Sequence, residues 1–86
     1  MKNTIENENE IKTTCELEDK EFEVITDKKM RVIKIFNLGG NDRNENPLFV
    51  SKISKDDDIT ECHQKMIEYM TLNNIVPQSM EVWYVR

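Results

Sequence analysis

Ile11, Thr13, Cys15 and Leu17 interleave with Lys12, Thr14, Glu16 and Glu18. A period of two sends successive side chains to opposite faces, so this stretch predicts a half-buried strand. Asp19-Lys20 offers a two-residue turn, and Phe22 and Val24 then alternate with Glu21 and Glu23 in a second strand. Asp27-Lys28-Lys29 turns the chain again. In "MRVIKIFNL" (30–38), Val32, Ile33, Ile35 and Phe36 put apolar groups on both faces. That pattern predicts a central strand covered on at least one side, with its other face left for a tail, a second copy or a partner. "LFVSKIS" (48–54) predicts a further strand with faces Leu48/Val50/Lys52 and Phe49/Ser51/Ile53.

The period then changes. In "DDDITECHQKMIEYMTLNN" (56–74), Ile59, Cys62, Met66, Ile67, Tyr69 and Met70 share one broad face, and Glu61, Gln64 and Glu68 the other. This is an amphipathic helix. Asp58 is its expected N-cap, with Glu61 three residues on as in a capping box. Asn73-Asn74 can close it through a left-handed residue, and Pro77 prevents its return. "MEVWYVR" (80–86) alternates Met80/Val82/Tyr84 with Glu81/Trp83/Val85 and predicts a last strand. Residues 1–10 hold almost no apolar side chain beyond Ile5 and are expected to form a flexible acidic tail. Residues 11–86 then make a single α+β domain: a small antiparallel or mixed sheet of four to five strands, one helix on one face, in the order β-β-β-β-α-β.

Length and charge narrow the function. Eighty-six residues bury only roughly 60–65% of the surface the unfolded chain exposes, which leaves no room for a large cofactor cavity. No cofactor is expected. The net charge of −5 is uneven: residues 1–27 carry −6 and the remainder +1. An acidic surface repels phosphate backbones and attracts basic partners, including the basic grooves of nucleic-acid enzymes. The cations Lys28, Lys29, Arg31 and Lys34 cluster, but the acids at 21, 23 and 27 beside them spoil a nucleic-acid patch. Two cysteines, Cys15 and Cys62, make no disulfide framework, and no apolar run is long enough for a signal peptide or a membrane span, so a cytoplasmic protein is expected. Nine residues each of Asn, Lys and Ile point to an AT-rich genome, as in a low-GC bacterium or a mobile element living in one.

Motif tests are mostly negative. "NLGGNDRNENP" (37–47) has adjacent glycines, no lysine and a strand after it, so it lacks the context of a phosphate loop. Asp42, Asn44 and Asn46 match the first EF-hand ligand positions, but Pro47 and Ile53 stand where the glycine and the final acid belong. The loop is read as a polar hairpin tip, with Arg43 as its cation. His63 falls inside the apolar stripe of the helix, which predicts a buried or semi-buried structural histidine with one hydrogen bond. Cys62 beside it points about 100° away and forms no catalytic or zinc pair with it. Asp56, Asp57 and Asp58 splay apart, so capping and solvation explain them better than a metal.

These readings assign no catalytic and no metal residue. They lead to the expectation of a small acidic protein-binding module. Its sharper form is a phage or mobile-element inhibitor that occludes the basic groove of a host nuclease or CRISPR effector as a DNA mimic. Glu16, Glu18, Asp19, Glu21, Glu23, Asp56 and Asp57 would supply the carboxylates, and Arg43, Trp83 and Tyr84 further partner contacts. The alternative is an accessory subunit or homodimer that associates through an exposed sheet face or edge.

Overall fold

The computed structural model describes residues 3–38 and 47–77. The loop 39–46 with Arg43, and the segment 78–86 with Trp83, Tyr84 and the expected last strand, lie outside the described residues. Within them the chain forms β1 (Asn3–Glu6), β2 (Glu10–Leu17), β3 (Lys20–Asp27), β4 (Val32–Asn37), β5 (Phe49–Lys52) and α1 (Ile59–Asn73). The strands make one antiparallel meander in the order β1-β2-β3-β4-β5. The expected α+β class, with one helix on one face of a small sheet, is what forms.

The alternation read from the sequence sets the faces. Cys15, Leu17, Phe22, Val24, Ile33, Ile35 and Ile53 meet Cys62, Met66, Ile67 and Met70 of α1 in one buried cluster. Burying such side chains stabilises the fold by roughly 1.5–3 kcal/mol each relative to exposure. Phe49, Ile59, Tyr69 and Val76 pack at its margin. Both cysteines lie buried in this core.

Helix α1 ends as its sequence dictates. Asp58 is extended (φ −76°, ψ 126°), and its Oδ2 accepts the Glu61 N–H at 2.8 Å, which satisfies one otherwise orphaned first-turn donor. Asn74 takes the left-handed conformation (φ 55°, ψ 36°) at the other end. Arg31 fastens the helix entry to the sheet. Its guanidinium donates to the carbonyl of Ser54 at 2.6 Å and to that of Asp57, while Ile53 N–H donates to the Arg31 carbonyl at 2.8 Å.

The N-terminal residues depart from expectation. Residues 3–6 form a strand paired with 11–14 of β2, where hydropathy predicts a tail. All four are exposed, so burial does not hold them. Polar contacts do. Asn7 Oδ1 accepts the N–H groups of Asn9 (2.7 Å) and Glu10 (3.0 Å) and folds the turn. Lys28 Nζ bonds Glu6 Oε2 and the Asn7 carbonyl, each at 2.7 Å, and Thr4 Oγ1 meets Thr13 Oγ1 at 2.9 Å.

Candidate functional site

Two surfaces hold the chemistry of the described residues. The first is the β2–β3 hairpin. The two residues between Leu17 and Lys20 are Glu18 and Asp19, one position earlier than the predicted turn. Both have positive φ, 47° and 67°. That is the primed geometry that matches strand twist, and glycine or asparagine usually supplies it. Glu16 stands directly opposite Glu21. Leu17 and Lys20 close the two-residue loop, so the Glu16/Glu21 pair falls where antiparallel side chains approach closest, at Cα separations of about 4.5 Å. Like charges so placed cost roughly 0.2–1 kcal/mol. Glu16, Glu18, Asp19 and Glu21 are all exposed. Glu18 also accepts from Asn74 Nδ2 at 2.8 Å, which ties the hairpin to the end of α1.

Not every expected carboxylate joins them. Glu23 is only 5% exposed. It sits mid-ladder between Thr14 and Phe36, in the centre of the sheet, and is withdrawn from the contact surface the alternation implied. Asp56 is exposed and Asp57 half-buried, its carbonyl taken by Arg31. These two precede α1, whereas the acidic hairpin meets its far end. A helix of 15 residues separates the two acidic groups by about 22 Å. They form two patches and not one.

The second surface is a groove of about 500 Å³ between β1 and α1. Thr4, Glu6, Ile11 and Thr13 line its sheet side, and His63, Gln64, Ile67, Glu68 and Leu72 much of its helix side. At its floor His63 is 3% exposed and Thr13 1%. His63 makes two hydrogen bonds where one was expected: Nε2 with Thr13 Oγ1 at 2.8 Å and Nδ1 with Thr26 Oγ1 at 2.6 Å. With the Thr4–Thr13 bond, these form a chain Thr4–Thr13–His63–Thr26. Burial pushes the imidazole pKa down from 6.5 to about 4, partly offset by the Glu6 carboxylate. A neutral imidazole has one N–H and one lone-pair nitrogen, and two hydroxyls complement it in either tautomer. At neutral pH so weak a base rarely takes a proton, which suits a structural clamp better than general-base chemistry. Sequence periodicity placed His63 in the apolar stripe. The partner threonines escaped notice because threonine alternates like any strand residue.

Among the described residues no three His, Cys, Asp or Glu side chains gather closely enough to hold a metal ion, and no helix is long and apolar enough to cross a membrane. No family model matches the chain, and neither a curated protein nor a solved structure matches it.

Proposed function

We propose that this protein is a small acidic binding module that occludes a basic groove of a nucleic-acid enzyme, in the manner of a phage or mobile-element inhibitor that mimics DNA. One observation carries the reading: the β2–β3 hairpin keeps Glu16 directly opposite Glu21, and Glu18 and Asp19 at positive φ. Local stability would favour an Asn-Gly tip and oppositely charged or neutral partners. A surface that keeps four exposed acids against that preference is suited to a cationic partner.

Affinity capture from host lysate tests the reading. The expected result is a nucleic-acid enzyme retained at about 50 mM salt, weakened at about 500 mM, displaced by duplex DNA, and lost on combined Glu16→Gln, Glu18→Gln and Glu21→Gln substitution. A partner indifferent to salt and to these changes would favour the accessory-subunit reading instead, in which an exposed sheet edge makes the contact.

A further inference from the structure

Strand β1 offers such an edge, and its geometry can be worked out residue by residue. Asn7 N–H donates to the Glu10 carbonyl at 3.0 Å, which makes Asn7/Glu10 a hydrogen-bonded pair. Bonded and non-bonded pairs alternate along an antiparallel ladder. Ile5/Lys12 and Asn3/Thr14 are therefore the next bonded pairs, and the N–H and C=O groups of Thr4 and Glu6 face away from β2. The side chains of the same two residues line the groove beneath α1. An added strand would thus find main-chain partners and a side-chain trough side by side.

Beyond its shortness and the Glu6–Lys28 ion pair at one end, the edge has few of the usual guards. Strand β1 carries no proline, no lysine and no bulge, and its residues are all exposed. Among the described residues the opposite edge is β5, which follows Pro47 and contains Lys52. Edges with few guards can recruit strands.

We propose that β1 and the β1–α1 groove bind an extended basic segment of a partner protein by strand addition. Charge selects the occupant. Among the described residues its lining holds Glu6 and Glu68 and no lysine or arginine, with a neutral imidazole at its floor; Lys28 already pairs with Glu6 at 2.7 Å, so Glu68 is the acid the occupant addresses. Alternate side chains of the added strand enter the groove. An aliphatic one packs against Ile67 and Leu72, and a lysine or arginine reaches Glu68. A second copy of this chain fits poorly: a four-residue strand paired with itself falls well short of the roughly 1,200 Å² of a stable interface and sets acid against acid. This surface differs from the acidic hairpin, so its fate is separable from that of the DNA-mimic reading.

The probe is the peptide acetyl-Lys-Thr-Val-Thr-Lys-Thr-Val-amide, whose lysines and valines share one face of a strand, titrated into the 15N-labelled full chain, with the glutamate-for-lysine peptide as control. Amide shifts are expected at Thr4, Glu6 and 64–72 with the lysine peptide only. Thr4→Pro removes an outward N–H while leaving the ladder to β2 intact, and weakens binding by about tenfold or more; Thr4→Val keeps that N–H and holds binding within about threefold. Glu68→Lys, on the exposed helix face, weakens it by about fivefold and serves if Thr4→Pro does not fold. Any of three results overturns the proposal. They are no binding at millimolar peptide, shifts confined to the acidic hairpin, and affinity unchanged in both Thr4→Pro and Glu68→Lys. A concentration-dependent dimer abolished by Thr4→Pro would overturn the choice of occupant.

Discussion

Thr26 Oγ1 lies 2.6 Å from Nδ1 of His63, so a hydroxyl from β3 holds one nitrogen of a helix imidazole inside the core. Thr13 holds the other nitrogen, and together they fix how α1 sits over β2 and β3. The neutral ring is favoured because burial leaves a charged imidazole poorly solvated, even though both hydroxyls can accept as well as donate.

The pH dependence of stability follows. The folded pKa of His63 is lowered to about 4 from 6.5, so between these values the unfolded chain binds the extra proton. Stability therefore falls as pH drops from about 6.5 towards about 4, by on the order of 3 kcal/mol, and is fully present above that window. Urea titrations at several pH values check this. Carboxylates titrate at the lower end, so the comparison is with His63→Gln, whose amide also offers one donor and one acceptor. The expected outcome is a shallower slope in the variant; identical slopes would remove His63 as the cause.

Thr26→Val preserves shape and removes the hydroxyl. Nδ1 of His63 then loses its partner in a site where water does not replace it. A cost of about 1–3 kcal/mol is expected. Thr4→Val, at the exposed end of the same hydrogen-bond chain, should cost under about 0.5 kcal/mol. Equal effects at the two positions would mean the chain is not graded by burial.

Which parts of this were legible in sequence follows from what each rests on. The meander and helix rest on apolar periodicity, and Val24, Ile33, Ile35, Met66 and Met70 reach the interior where that periodicity put them. The caps at Asp58 and Asn74 rest on local chemistry and were equally readable. Strand β1 rests on Asn7, Lys28 and Thr13, contacts between residues of ordinary surface type, and hydropathy is blind to them. Glu21 and Glu23 look alike in an alternating pattern. Yet Glu21, beside the hairpin tip, is exposed and Glu23, at mid-sheet, is buried. The groove could not be read at all, because one of its walls is the strand that hydropathy missed.

Asp19 has φ 67° in a two-residue hairpin loop. Asp19→Gly removes the steric cost of that conformation and one of four clustered carboxylates. A gain of about 0.5–1 kcal/mol is expected, reduced by the larger entropy of glycine in the unfolded chain. Thermal unfolding checks the sign. Under the proposed function the same change weakens capture of a basic partner, so stability and binding should move in opposite directions. If both rise together, the tip is a turn and not a contact.

Arg31 also has positive φ, 54°, and it joins three parts of the molecule: the β3–β4 turn, the end of β5 and the entry to α1. Glycine at 31 would keep the backbone geometry at lower steric cost, so Arg31→Gly isolates the guanidinium. Its bonds to the Ser54 and Asp57 carbonyls involve a charged donor, each such bond contributing about 1.5–3 kcal/mol. Relief of the left-handed residue returns about 1 kcal/mol. The net expectation is a loss of roughly 2 kcal/mol or more. Hydrogen exchange tells where it falls. If Arg31 holds the helix entry, the amides of 57–62 should lose protection before those of β2 and β3, because the Asp58 cap alone must then keep the first turn in place. Uniform loss across the sheet would instead make Arg31 a global staple, with no special hold on α1.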